Sequence, residues 1–443
     1  MSTSRRHFLK TTPALLGLSG CGKNITPAGK KIRVAAILTT FFYRSHAHVI
    51  LENFLEPYLF NGKVVDPTQE FEIVSFHVDQ FGTSTKPDMA RTVAKQFGIP
   101  VFPSIHDALT RDEDDLSVDA VLVVGEHGEY PFNEKGQELY PKKRFFDEIV
   151  AVFQKSGRSV PVYNDKHLSH TWSEAKEMVD TAKRMGFGLM AASSVPLAQR
   201  IPPLELEGKP RITRAVSIHG GPLERYGFHG LEVLQSMVES RQGGETGISE
   251  VQYFEGDALW KAADEGRWSE DLATAAMAAE LGGRIPPLRE MLKLPEFSET
   301  PPHGFLLNYR DGLSAIVLKI GQSDIRWNFA ADIEGTESPV ATRFYGGPWN
   351  NRNLFKALAH AIQDHFRNNR PPWPIERTLL TSGALEAAID SKVAGEKAVK
   401  TPYLDVVYQA VDYRAMREMG KTWEIINEET KQPEGIEPVM IGR

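Results

Sequence analysis

From Lys31 onward, short apolar runs of strand length alternate with amphipathic stretches of helix length. Ile32–Leu38 is apolar at almost every position, as a strand buried on both faces of a parallel sheet requires. A helix is predicted over 45–59, then a strand over 71–78 that ends at Asp79. Next come a helix over 87–97, a short strand over 99–102 and a helix capped by Ser104, with Asp107 three residues on. The run 119–124 is a further buried strand and opens into the loop Gly125-Glu126-His127-Gly128-Glu129-Tyr130-Pro131. A helix over 145–154 leads to a strand over 160–163. Thr171 and Glu174 then form a capping box, and Trp172, Ala175, Met178, Val179, Ala182 and Met185 share one face before Gly186. Strands alternating with helices to about residue 195 predict an open α/β sheet with right-handed crossovers.

Past Pro196 the period changes. Pro202-Pro203 and Gly208-Lys209-Pro210 bracket an irregular crossing. Strands are predicted at 212–218, 248–254, 304–309, 313–320 and 324–331, most of them amphipathic and antiparallel. Helices are expected at 258–264, 270–281, 354–366 and 375–391, and a polar tail from about 405 to 443. This is an α+β pattern.

Two stretches carry candidate chemistry. Ser217-Ile218-His219-Gly220-Gly221-Pro222-Leu223-Glu224-Arg225-Tyr226-Gly227-Phe228-His229 runs from a strand through a Gly-Gly break into a helix marked by Leu231, Leu234, Met237 and Val238. Such a turn presents side chains at a cleft edge, although a packing histidine in a glycine-rich connection is the plainer reading. The second stretch, Val160 to Ser169, ends a buried strand in Asp165-Lys166-His167. A lysine there is most often a surface charge. Together the two resemble the Gfo/Idh/MocA oxidoreductases, in which a strand ends in Glu-Lys-Pro and a later glycine run leads into Asp-x-Gly-x-His. Lys166, Gly220-Gly221, Gly227 and His229 match; His167 stands for the proline and Arg225 for the aspartate. The segments Glu376–Leu380 and Ala384–Ala387, followed by Thr401-Pro402, are similar to the segment with which many members end.

The resemblance implies an α/β Rossmann-like N-terminal domain (31–195) plus an α+β C-terminal domain with an open, mostly antiparallel sheet (196–404), which could support a homo-oligomer. It implies hydride transfer between a sugar, polyol or sugar acid and a nicotinamide, with Lys166, His229 and Glu224 as catalytic groups. A general base takes the hydroxyl proton while a cation polarises the oxygen. Arg225 and Tyr226 would touch substrate, the arginine favouring an anionic one. Thr39, Thr40, Asp79, Glu126 and His127 fall where NAD or NADP would lie. The turn Leu38–His46 has no glycine, however, and a dinucleotide turn needs glycines for backbone approach to the pyrophosphate. The expectation is therefore an oxidoreductase with a retained cofactor, or else a non-redox carbohydrate-binding or partner protein that kept the fold and lost the cofactor. Glu126 and His127 with His219 or His229 lack metal-ligand spacing, so no metal is expected. His46/His48 and His360/His365 read as surface or core histidines.

Residues 1–30 stand outside this pattern. Ser4-Arg5-Arg6-His7-Phe8-Leu9-Lys10 matches the twin-arginine export motif, and Leu18-Ser19-Gly20-Cys21 resembles a lipobox with Cys21 as the lipidation site. The expected location is periplasmic, anchored to a membrane through the acylated N-terminus. Cys21 is the sole cysteine of the 443 residues, so no internal disulfide forms. A net charge of −7 without a basic run argues against nucleic acid.

Overall fold

A computed structural model describes residues 30–432 and 435–437. The twin-arginine motif, the lipobox and Cys21 lie outside the described residues.

Sixteen strands are assigned among the described residues: β1 (Ile32–Leu38), β2 (Tyr58–Phe60), β3 (Lys63–Val65), β4 (Phe71–Val78), β5 (Val101–Phe102), β6 (Ala120–Val124), β7 (Val162–Asp165), β8 (Leu189–Ala192), β9 (Gln199–Ile201), β10 (Ile212–Gly220), β11 (Ile248–Glu255), β12 (His303–Tyr309), β13 (Ser314–Lys319), β14 (Ser323–Ile333), β15 (Val340–Tyr345) and β16 (Val399–Lys400). Six of them make a fully parallel sheet in the order β5-β4-β1-β6-β7-β8, the doubly wound order in which the chain reverses direction beside β1. The small hairpin β2–β3 accounts for the extra length between β1 and β4. Helix starts follow the caps: Ser45, Ser104 and Thr171 each accept a backbone N–H of the first turn.

The second sheet has eight strands in the order β16-β11-β12-β13-β10-β14-β15-β9. All its pairs are antiparallel except β10 with β13. Alternate residues serve opposite faces, as strand geometry dictates. Ala315 and Val317 of β13 join a core with the helices Phe228–Val238 and Ile375–Val393. Ile316 and Leu318 join another core with the helices Gly256–Asp264 and Glu270–Leu281. Both faces of this sheet are therefore covered by the chain itself. The helix Asn351–Asn368 returns to the first sheet, where Phe355, Leu358, Ile362 and Phe366 enter the core built on β1 and the helix His46–Leu55. The segment after 405 lies on the body, with Asn61 Nδ2 donating to the carbonyl of Arg417 at 2.7 Å and Glu418 N donating to the carbonyl of Leu197 at 2.9 Å.

Candidate functional site

Ligands of open parallel sheets gather beyond the carboxyl ends of the strands, beside the point where strand order reverses. That edge carries most of the candidate residues. Glu126 follows β6 and is buried, with Lys142 Nζ at 2.5 Å from one carboxylate oxygen and Lys166 Nζ at 3.1 Å from the other. Burial opposes ionisation of Glu126, but Lys142, Lys166 and then His46 outweigh it and hold the carboxyl well below its ordinary range. Lys142 also donates to the carbonyls of Gly125, at 3.1 Å, and Lys166. Its three donors are thereby spent. Among the described residues Lys166 has Glu126 as its one side-chain partner, which leaves two of its three donors uncommitted.

His127 sits at φ +66°, with its ring 5.3 Å from that of Phe42 and 5.0 Å from that of His46. Burial, helped by the charge of His46, pushes it down to about 3, so it is neutral at physiological pH. His229 begins the helix Phe228–Val238 and is also buried. Its Nδ1 lies 2.6 Å from Ser193 Oγ, and its ring meets Trp327 edge-on at 5.3 Å. Burial first, then the charges of Lys166 and His46, hold it well below the ordinary histidine value. Glu224 lies in a single π-helical turn, Leu223–Gly227. Burial and the Glu126 charge push its carboxyl up, against Lys166 and Arg225. Lys166, His229, Glu126 and Glu224 thus share one electrostatic environment.

Other candidates are committed elsewhere. Arg225 is exposed and donates to Glu138 at 2.9 Å, which also accepts from Tyr140. Tyr226 donates to Asp324 at 2.9 Å and stacks on Trp327 with ring centroids 5.2 Å apart. This ring explains Gly221, where a Cβ would lie 2.2 Å from it; at Gly220 a Cβ would lie 2.4 Å from the Ser323 carbonyl oxygen.

Thr39 and Asp79, two of the residues placed at a nicotinamide site, are equally occupied, whereas the Thr40 hydroxyl is buried without a partner among the described residues. Thr39 and Thr40 are fully buried, and the Thr39 hydroxyl donates to the Glu126 carbonyl at 2.7 Å. Both Asp79 oxygens are taken, by Arg144 at 2.7 Å and by the Tyr130 hydroxyl at 2.8 Å. Phe41 fills the core, and Ser45 caps its own helix. Arg44 donates to Gln432 at 2.7 Å and to the Trp349 carbonyl at 3.2 Å. These residues do not fit a dinucleotide held by backbone approach at the first turn. The phosphate-side donors face inward, and the ribose-side acid already has partners. Among the described residues no group of three or more His, Cys, Asp or Glu is arranged to hold a metal ion. A cavity of about 360 Å³ lies away from this edge, and several of its lining charges pair with one another, Glu205 with Arg200 and Arg417 and Asp412 with Arg414.

No protein-family model matches the chain, and no curated protein matches it in sequence. Solved structures do match it in shape. The GenD2 protein of gentamicin A biosynthesis, crystallised with NAD, superposes with TM-score 0.51 at 15% identity, covering 86% of this chain and 99% of that one. Myo-inositol 2-dehydrogenase from Lactobacillus plantarum gives TM-score 0.52 at 11% identity, covering 84% and 99%. Myo-inositol dehydrogenase from Lactobacillus casei, solved with NAD(H) and myo-inositol, gives 0.51 at 16%, covering 84% and 97%. The fold is the two-domain fold of the Gfo/Idh/MocA proteins. At these identities the likeness concerns the fold alone, and function has to be argued from the site.

One histidine that the sequence pattern leaves among ordinary surface or core positions stands at this edge. His46 Nδ1 lies 2.6 Å from Asp165 Oδ2. Its neighbour His48 is structural as expected, buried with Nε2 bonded to the Ile436 carbonyl. The available signal was positional: His46 directly follows the cap Ser45 at the carboxyl end of the first strand.

Proposed function

We propose that this chain acts on a polyhydroxylated small molecule (a sugar, polyol or sugar acid) bound at the carboxyl edge of the parallel sheet, as an oxidoreductase of Gfo/Idh/MocA type. The observation that carries the reading is Lys166, a nearly buried cation anchored by Glu126 with two donors left for ligand oxygens. A fold shared with a dehydrogenase crystallised with NAD(H) and myo-inositol supports the substrate class. A second reading, a carbohydrate-binding protein on the same fold without redox chemistry, is favoured by the paired Asp79 and the inward-facing Thr39.

The test is calorimetry of the purified protein with myo-inositol and D-glucuronate, alongside mass analysis of anything released on denaturation. Binding of a probe is expected, and Lys166→Ala should abolish it while the near-ultraviolet circular dichroism stays that of the folded protein, whatever the loss of one Glu126 partner does to the melting temperature. Silence toward every polyol and sugar acid would overturn the substrate class. Released nicotinamide would support oxidoreduction, whereas its absence together with no uptake of added NAD or NADP would leave the binding reading.

For location, we propose export by the twin-arginine route with acylation at Cys21, on the motif Ser4–Lys10 and the sequence Leu18–Cys21. Replacing Arg5 and Arg6 with lysine should keep the protein in the cytoplasm. A soluble wild-type protein with an intact N-terminus would refute it.

A further inference from the structure

We propose that His46 and Asp165 are the proton-transfer pair of this site, with His46 Nε2 as the atom that takes a ligand hydroxyl proton. The inference rests on the reading that a polyhydroxylated molecule binds beside Lys166.

Asp165 is the last residue of β7, and its side chain is 1% exposed. One carboxylate oxygen meets His46 Nδ1 at 2.6 Å; the other accepts from the Tyr163 hydroxyl at 3.2 Å and from the Lys166 backbone N–H at 2.9 Å. A carboxylate only accepts, so whenever the ring is neutral its proton sits on Nδ1 and Nε2 keeps its lone pair. Nε2 has no partner among the described residues, and the His46 side chain is 12% exposed, enough for a ligand to reach. The ring is held between His127, at 5.0 Å and 84°, and Phe355, at 4.7 Å and 61°. This is the arrangement of a positioned base with its orienting acid.

His229 lacks that arrangement. Its Nδ1 is spent on Ser193, and no carboxylate bonds to its ring. Burial and the nearby cations disfavour an imidazolium there. At His46 the imidazolium formed by proton transfer would face Asp165 directly, and its charge would also favour the neighbouring Glu126 carboxylate. In the step itself the ligand O–H bond breaks, its electron pair stays on oxygen, and an N–H bond forms at Nε2. Lys166 stabilises the oxygen, and the reverse transfer returns the proton.

Two measurements test the pair. Nitrogen-15 NMR of the purified protein should show the neutral His46 ring protonated at Nδ1 and bare at Nε2, and Asp165→Ala should remove that preference. A wild-type ring protonated at Nε2 would overturn the pair, whether or not any ligand is found. Added myo-inositol or D-glucuronate should shift the His46 Nε2 resonance, and in His46→Gln the binding should be about tenfold weaker by calorimetry. A complex in which the His46 Nε2 resonance stays unmoved while that of His229 Nε2 shifts would overturn the proposal. If no polyol or sugar acid binds, the substrate reading falls, and the ring tautomer alone decides the pair.

Discussion

Lys142 and Lys166 meet the same carboxylate, yet their remaining donors separate their roles. Lys142 is wholly enclosed and spends its ammonium on Glu126 and two carbonyls, which ties the β6 loop to the β7 loop. Lys166 spends one donor on Glu126 and keeps two uncommitted among the described residues. Removing Lys142 would leave a buried carboxylate with one cation instead of two, and loss of a buried partner is costly for that reason. A third buried group near the site gives a pH dependence. Glu232, one helical turn beyond His229, accepts from Thr381 at 2.6 Å. Burial, only partly offset by Arg377, pushes its carboxyl up from 4.5 to about 7. The folded state therefore holds this proton more tightly than the unfolded chain does. The stabilisation is complete below about pH 4.5 and is lost as pH rises through about 7. The differential is on the order of 3 kcal/mol. Glu232→Gln, which mimics the protonated acid, should raise the melting temperature at pH 8 and leave it nearly unchanged at pH 5. Melting curves whose variant-to-wild-type difference is the same at both pH values would contradict this assignment.

At the scale of elements, what the sequence made legible follows from where each signal resides. Strands β1, β4 and β6 announce themselves because both faces are largely buried and most positions are apolar. Capped helices are equally legible, since Ser104 with Asp107 and Thr171 with Glu174 encode their own starts. The short strands β9 and β16 carry no periodicity of their own: three and two residues gain their character from the edges they extend. The parallel pairing of β10 with β13 was hidden too, because the amphipathic pattern of a strand does not specify the direction of its neighbour. The Gly220-Gly221 break was visible as a turn, but its cause was not. β10 continues through Gly220, and the pair is small because the Ser323 backbone and the Tyr226 ring press against it. Lys166, Glu126 and His229 were legible as candidates because they end strands or begin a helix. His46 was not, because its partner Asp165 lies 119 residues away and only the parallel sheet brings the two together.

For the whole molecule, the order of the chain and the order of its cores differ. The parallel sheet is complete by Ala192, yet one of its faces is closed by the helix Asn351–Asn368, which follows most of the second sheet. The same return brings Phe355 against His46, so the second half of the chain also shapes the site edge. Four large apolar side chains of that helix, Phe355, Leu358, Ile362 and Phe366, are buried in the first core. At about 1.5–3 kcal/mol for each such burial, their removal withdraws roughly 6–12 kcal/mol. That equals the entire net stability of an ordinary domain, about 5–15 kcal/mol. A fragment spanning 31–195 should therefore fail to fold alone, although it contains all six strands of the parallel sheet. Its amide NMR spectrum should be collapsed and its near-ultraviolet circular dichroism flat, and adding 351–368 through a flexible linker should restore part of both. A dispersed spectrum and a cooperative melt from the fragment by itself would mean that the first sheet is an autonomous domain and that the returning helix is an accessory to it.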